Sequence, residues 1–487
     1  MRLTNAVFAI CLFGFTGAAS RVAATQENAT VNIGARLELF VDRYLIDSMT
    51  GADLRLHEPV PRECVLKFDR PWEGRHCGYV TVIKDGDLFR LYYRGLSVDK
   101  GDGSNAECTC YAESTDGISF VKPNLGLFEI NGSRENNAIL HDLPPFSHNF
   151  APSLDARPGV PPDERYKALA GLSTSGLAAF ASADGIHWRK MREEPVITKG
   201  AFDSQNLAFW SESEQCYVCY FRTWIETGQG GFRSIGRATS PDFLNWSEPV
   251  EMSFGDTPRE HLYTNQTRPY FRAPHIYVST AARFMQGRRV VTPEQAVELG
   301  IKPEDAADCS DTVLMTSRGG NRYDRTFMEG FVRPGVGPSN WTTRTNYAAC
   351  GVVPTSDAEM SMYVQRGYGQ QAQFLQRLAL RTDGFASVNA PYAGGEFRTK
   401  PLIFTGNKLV INYATSAAGG IRTEIQDAAG APIAGYTSDD ATEIIGDEIA
   451  RVVTWKSGPE LQKLAGQPIR LRFIMKDADL YSIQFRD

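Results

Sequence analysis

Ser182-Ala183-Asp184-Gly185-Ile186-His187-Trp188 is a phrase that this chain repeats. It stands earlier as Ser114-Thr115-Asp116-Gly117-Ile118-Ser119-Phe120 and later as Ser240-Pro241-Asp242-Phe243-Leu244-Asn245-Trp246. Weaker copies are Ser317-Arg318-Gly319-Gly320-Asn321-Arg322-Tyr323 and Arg381-Thr382-Asp383-Gly384-Phe385. The copies lie about 60–75 residues apart, which marks an array of similar units. In each unit Asp bonds back to the turn backbone, Gly supplies a positive φ, and the aromatic ring packs between neighbours. That turn chemistry assigns these aspartates a structural role. Five copies predict five blades around a central channel, each turn joining the two outer strands of its blade.

The sequence between the turns agrees. It reads as short strands rich in Val, Ile, Tyr and Phe, such as YVTVIKDGDLFRLYYRG (79–95) and YVCYFRTW (217–224). One helical insert interrupts them over 291–300. There Thr292 is the N-cap, Pro293 is N1, Gln295 closes a capping box and Gly300 stops the helix. The repeated phrase ends before Pro391. Strand-like stretches then run to the end, among them KLVINYAT (408–415) and IRLRFIMKDADLYSIQF (469–485). The expected fold is therefore all-β: a five-bladed β-propeller over 37–392 and a C-terminal β-sandwich over 395–487.

The 487 residues are 42% hydrophobic and 22% charged, which excludes a disordered chain. A net charge of −6 gives no electrostatic footprint for nucleic acid or an anionic membrane. Residues 1–24 read as a signal peptide: Arg2, then the uncharged apolar run Ala6 to Ala19, then small residues. That run is shorter than the ~20 residues a membrane span needs. The expectation is an exported protein, secreted or periplasmic, with no membrane segment after cleavage. Of nine cysteines, Cys11 leaves with the signal. Cys108 with Cys110, and Cys216 with Cys219, lie in strand-like runs and read as buried thiols. A Cys64–Cys77 bridge is the alternative pairing.

A propeller of five blades with a C-terminal sandwich resembles glycoside hydrolase family 32 and its relatives in families 43 and 68. The S-x-D-G-x-x-W/F turns and the phrases EIQDAAGAPIAGY (424–436) and PIRLRFIMKDADLYSIQF (468–485) carry the resemblance. The chain also looks like a group of secreted planctomycete-type proteins sharing LFVDRYLID, FDRPWEG, FDSQNLAFW and PYFRAPHIY. The resemblance implies a glycan as substrate or ligand and no cofactor, with a structural calcium in the channel left open. The family's W-M-N-D-P-N-G, R-D-P and E-C motifs are not present as written. Its catalytic triad is therefore not carried over; Asp42, in Phe40-Val41-Asp42-Arg43, is the nearest match to its nucleophile.

Candidate site residues come instead from the segments that lead into each inner strand, where a propeller opens its ligand pocket. These are 69–76, 148–155, 202–206, 259–265 and 344–347, all polar ahead of apolar strands. Glycoside hydrolysis usually pairs two carboxyl groups, one a proton donor and the other a nucleophile or base. Asp203 is the expected nucleophile or base, with Glu260 or Glu73 as acid. The structural alternative for these is an ion pair: Glu73 with Arg70 or Arg75, Glu260 with Arg259. Sugar contacts are expected from Trp72, His76, His148, Asn149, Gln205, Asn206, His261, Asn265, Arg268 and Asn346. No metal-ligand spacing is present, so the histidines read as sugar-bonding or packing groups. Three functions compete: a secreted glycosidase, a non-catalytic carbohydrate-binding propeller, and an interaction scaffold with a flat apolar patch.

Overall fold

The repeated turns form as their chemistry requires. The computed structural model describes residues 30–98, 101–227 and 230–487. The signal segment 1–24 lies outside the described residues. In the first copy the Ser114 hydroxyl accepts the Asp116 and Gly117 amides, and Asp116 Oδ1 accepts the amides of Ile118 and Ser119, both at 2.7 Å. In the second, Asp184 Oδ1 accepts the Ile186 and His187 amides at 2.9 and 2.8 Å. In the third, Asp242 does the same for Leu244 and Asn245. Gly185 has φ +76, and a β-carbon there would stand 2.5 Å from the Tyr92 hydroxyl of the preceding blade. Phe243 takes the same left-handed conformation, with φ 71, as a fully buried side chain. The closing rings face neighbouring blades. Trp188 packs with Tyr92, Tyr111 and Ile139, and Phe120 packs edge-on against Tyr363 of the last blade.

Two weak copies behave differently. Ser317 Oγ donates to the Arg322 carbonyl and does not organise an Asp turn. Asp383 is fully buried, with φ 65, and accepts Tyr270 Oη–H, Arg272, Ser482 and Asn412. It is a joint between the propeller and the C-terminal strands, made from what reads as a surface turn.

Five four-stranded sheets follow one another as blades. Blade one is Gly78–Asp85, Leu88–Leu96, Glu107–Ser114 and Ala138–Leu140. Blade two is Ser153–Leu154, Tyr166–Ala170, Ala178–Ser182 and Arg189–Lys190. Blade three is Leu207–Ser211, Cys216–Thr227, Gly230–Ser240 and Val250–Glu251. In blade four the inner strand is broken into His261–Thr264 and Thr267–Tyr270; both pair with Ala273–Met285, which pairs with Cys309–Ser317. Blade five takes Val353–Pro354, Glu359–Arg366 and Phe374–Arg381, and its outer strand is the amino-terminal Val60–Lys67. The propeller thus closes by pairing one end of the chain with the other, which removes two open sheet edges. Apolar clusters fill the spaces between blades: Leu169, Phe221 and Phe243 between two and three, and Phe209, Tyr277 and Tyr323 between three and four.

The remaining strands form one ten-stranded sheet. The long strands Lys408–Asp427 and Ile469–Arg486 pair along most of their length and enclose a core of Phe397, Leu409, Trp455, Phe473 and Phe485. Strand pairing divides the chain differently from the sequence boundaries of 37–392 and 395–487. Val31–Gly34, Glu38–Leu39, Ile46–Thr50, Asp53–Leu56 and Ala386–Ala390 all join the C-terminal sheet. An amphipathic strand shows which face it buries but not which edge it will meet. Leu37, Leu39 and Val41 meanwhile pack on blades four and five, so the segment rivets the two parts together.

The helix forms over Pro293–Glu298 with the Thr292–Gln295 capping box. Among the described residues no helix is long and apolar enough to cross a membrane. All eight cysteines in the described residues are free thiols; Cys64 is exposed and Cys77 buried, without the bridge between them.

Candidate active site at the channel mouth

The inner strands start at one end of the channel, where several non-glycine residues take left-handed backbone. Tyr79, Asn149, Gln266, Arg344 and Asn346 have φ values of 51, 50, 50, 57 and 75. Each costs of order 1 kcal/mol, a strain tolerated where side chains must be aimed. Inside the channel the polar groups bind one another. Gln205 Nε2 donates to Thr81 Oγ1 at 3.0 Å, and Gln266 Nε2 donates to Gln205 Oε1 at 2.6 Å and to the Ala348 carbonyl at 2.9 Å. Arg268 donates to the carbonyls of Ala208 and Pro152. Gln205 and Arg268, expected to hold sugar, are ties across the channel between blades. Asn206 Nδ2 donates to the Phe202 and Ser204 carbonyls while its Oδ1 is buried without a partner among the described residues; Asn265 Oδ1 accepts the Thr267 amide, and Asn346 Nδ2 donates to the Ser310 and Asn340 carbonyls while its Oδ1 accepts from Arg366.

At the mouth stand four tyrosines and four arginines. Tyr263 and Tyr347 have ring centroids 5.3 Å apart, and Tyr79 meets Tyr347 edge-on at 6.4 Å. The guanidinium carbons of Arg222, Arg233 and Arg344 lie 5.1, 5.0 and 6.0 Å from the Tyr263 ring. Arg94 lies 4.6 Å from the Tyr79 ring and donates to Tyr368 Oη, which also accepts from Arg344. Burial raises the Tyr79 and Tyr347 phenols above the ordinary range. Burial would raise Tyr263 too, but Arg344, Arg222 and Arg233 outweigh it and bring that phenol below its ordinary value. Several polar atoms here are buried without a partner among the described residues: Arg222 Nε and Nη1, Arg233 Nε and Nη1, Tyr347 Oη and Asn149 Oδ1.

The three expected acids are held by different partners. Asp203 is at the mouth, its side chain 53% exposed and ion-paired to Arg222. Its carbonyl accepts from Asn149 Nδ2 at 3.1 Å. Glu260 is held by Arg283 at 2.9 Å and Arg325 at 2.7 Å, on the wall of a cavity of about 200 Å³ that Arg233 also lines, flanked by blades three and four. Glu73 is fully buried and bound by Tyr93 Oη at 2.6 Å, Lys122 at 2.7 Å and the Arg70 amide at 2.8 Å. For Glu260 and Glu73 the ion-pair alternative is the one realised, though with other partners than sequence neighbours suggested. Asp42 is locked by Arg318 and caps the Tyr44 amide.

A second carboxylate does reach the mouth. Asp102, in the loop before Glu107–Ser114, is 58% exposed and 3.2 Å from Arg94. Behind it the buried Glu107 accepts from His148 Nδ1 at 2.9 Å, while Asn149 Nδ2 meets His148 Nε2 at 2.9 Å. The chain Asp102–Glu107–His148–Asn149–Asp203 thus crosses from blade one to blade three. Donor atoms of Asp102, Glu107 and His148 lie within 4.8 Å of one another. Arg94 sits 3.2 Å from Asp102 and 3.5 Å from Glu107, so a side chain already neutralises the carboxylates a cation would use. This donor set does not suit a calcium ion.

Two extensions wall the mouth. The hairpin Cys216–Thr227 and Gly230–Ser240 pairs Trp224 directly with Arg233; the indole is 43% exposed and stacks on that guanidinium at 4.7 Å. His261 stacks on Phe232 beside it at 4.8 Å. The helical insert packs Val291, Ala296 and Ile301 against Trp341, and the Gly300 carbonyl accepts from Arg75. Trp72, the expected sugar platform, is instead packed on the blade-one core with its Nε1 donating to Asn137. His76 is at the mouth, its ring 5.5 Å from Tyr368. Sequence reading missed Arg94, Arg222, Trp224, Arg233 and Tyr368 because the first four lie within second and third strands and Tyr368 in the loop between two strands of blade five, none of them leading into an inner strand. A signal was present in Arg222, a charge inside the apolar run YVCYFRTW (217–224).

No family model matches the chain. No curated protein matches it. Among solved structures, an N-acetylgalactosamine deacetylase from F. plautii in complex with blood group B trisaccharide shares 12% identity over 69% of this chain and 97% of that one, with a TM-score of 0.43. A β-1,2-mannobiose phosphorylase from Listeria innocua shares 11% over 68% of this chain and 98% of its own, TM-score 0.43. A fructofuranosidase from Schwanniomyces occidentalis shares 10% over 88% and 96%, TM-score 0.37. By its own strand pairing, this chain is a five-bladed β-propeller joined to a C-terminal β-domain that its amino-terminal strands complete.

Proposed function

We propose that the protein is an exported enzyme that cleaves a glycan at the propeller mouth. One observation carries the reading: a tyrosine-walled mouth holds buried, unpartnered hydrogen-bonding atoms on Arg222, Arg233, Tyr347 and Asn149. Unmet donors and acceptors beside aromatic faces are what a hydroxyl-rich ring requires, since each sugar hydroxyl both gives and takes a hydrogen bond. Trp224 supplies an exposed face at the rim. The chemistry we assign is paired-carboxylate acid/base catalysis by Asp102 and Asp203, the two half-exposed carboxylates on either side of His148. Glu107 orients His148, and His148 with Asn149 fixes the Asp203 backbone.

The test is a polysaccharide and aryl-glycoside panel on the mature protein beside Asp203→Asn and Asp102→Asn. Turnover lost by 10²-fold or more in both, with the unfolding midpoint unchanged, supports the pair. Binding without turnover, unaltered in both variants, leaves a carbohydrate-binding propeller. The absence of both binding and turnover refutes the glycan reading. The scaffold alternative needs a flat apolar face, and the mouth is polar and charged.

A further inference from the structure

The chain carries a net charge of −6, yet its mouth gathers guanidiniums. Arg222, Arg233 and Arg344 all lie within about 6 Å of one ring, Tyr263. Among the described residues no carboxylate lies within ion-pair distance of Arg233 or Arg344, and Asp203 meets Arg222 through Nη2 alone. The Arg222 side chain is 4% exposed, with Nε and Nη1 buried and unpartnered. Bringing three like charges together under partial burial is unfavourable unless something offsets it. The rings of Tyr263, Trp224 and Phe284 offset part through cation–π contact, but a ring face gives no acceptor to an N–H in the guanidinium plane.

Resting on the glycan reading, we propose that the sugar bound at this mouth is anionic, its carboxylate or sulfate held by Arg222, Arg233 and Arg344 around Tyr263. A planar guanidinium offers two parallel donors to such a group, and charge-assisted bonds of this kind are roughly twice as strong as neutral ones. Trp224, stacked on Arg233, would lie under the pyranose face. The site then selects acidic over neutral sugars by charge as well as by shape.

The experiment is calorimetric titration of the intact mature protein with three probes matched in length: oligogalacturonate, the same oligosaccharide with its carboxyls reduced to alcohols, and a sulfated neutral oligosaccharide. The expected result is binding of an anionic probe at least tenfold tighter than the reduced one. That preference should weaken as salt rises from 0.05 to about 0.5 M through screening. Arg344→Gln and Arg233→Gln should each lower anionic affinity about tenfold or more, a clearly larger fall than either causes for the reduced probe. Whether the carboxylate or the sulfate probe wins identifies the anion. Equal binding of anionic and reduced probes overturns the inference while the glycan reading stands. Binding of none of the three, or of other glycans in the panel, overturns both. A near-ultraviolet spectrum and unfolding midpoint matching wild type tie any loss to the site rather than to the fold.

Discussion

The Asp turns can be tested one at a time, and Asp184→Ala is the cleanest case. The Asp184 carboxylate accepts two backbone amides, Ile186 at 2.9 Å and His187 at 2.8 Å, and the Ser182 hydroxyl at 3.1 Å. Bonds to a charged acceptor contribute about 1.5–3 kcal/mol when buried. Here the side chain is 49% exposed, so water replaces part of each and about 1 kcal/mol per amide remains. The exposed pair with His187 Nδ1 adds little. The turn should therefore open about 2 kcal/mol more easily, which is roughly 30-fold in equilibrium. Hydrogen–deuterium exchange of the 182–190 peptide reads that opening directly. Exchange should rise about 30-fold there and stay unchanged in the equivalent peptides around Asp116 and Asp242. Asp184→Asn keeps a neutral acceptor and should recover about half the loss on the logarithmic scale. Burial would raise the Asp184 carboxyl, but the His187 and Ile186 amides and Ser182 hold it well below the ordinary range. A depressed carboxylate stabilises above its unfolded pKa, so the wild-type protection should fade only as the pH drops through and below that range. Unchanged exchange in Asp184→Ala, or Asn behaving as badly as Ala, would refute the argument that these carboxylates hold the turns.

Other positions separate structural from functional roles. Trp72→Ala should cost about 2–3 kcal/mol in unfolding experiments and leave glycan affinity unchanged, because its indole is packed within blade one; a loss of affinity without a loss of stability would contradict this. Trp224→Ala should do the opposite, lowering glycan affinity about tenfold with stability within about 0.5 kcal/mol. Glu38 is fully buried; burial would raise its carboxyl, yet His275 and Arg318 bring it down from 4.5 to about 2. Its contribution of about 3 kcal/mol is present above pH 4.5 and lost as the pH falls through 2, so the stability gap between wild type and Glu38→Gln should close across that window. Asp383→Ala removes the acceptor shared by Tyr270, Arg272, Asn412 and Ser482 and should split one calorimetric transition into two, propeller and β-domain; a single transition at the wild-type midpoint would contradict a role as the joint.

Why the blades were legible while the site was only half so follows from where each kind of information lies along the chain. A turn is closed within five residues, so Ser182, Asp184 and Gly185 state their own geometry, and three copies state the repeat. The fifth copy misleads for the same reason. Asp383 has the local residues of a turn, but Tyr270, more than a hundred positions away, captures its carboxylate and buries it. Strand partners are equally distant, which is why Val31–Gly34 gives no hint that it lies against Leu402–Phe404. The site repeats the pattern. Residues leading into inner strands could be found by blade logic, and Asp203, His148, Asn149 and His76 do reach the mouth. Asn206, Asn265 and Asn346 have the same polarity but serve their own loops, and polarity alone cannot tell a loop-binding amide from a ligand-binding one. What distinguishes the mouth is charge carried where strand sequence should be apolar. Arg94 lies inside LFRLYYRGL (88–96), Arg222 lies mid-strand after the apolar YVCYF (217–221), and Arg233 lies across the ladder from Trp224. A buried guanidinium in a strand is expensive unless ring faces, carboxylates or a bound anion receive it. Arg94 has Asp102 and Glu107; among the described residues Arg233 has only rings. That difference, between an arginine answered within the protein and one that is not, is what the proposed anionic sugar would resolve.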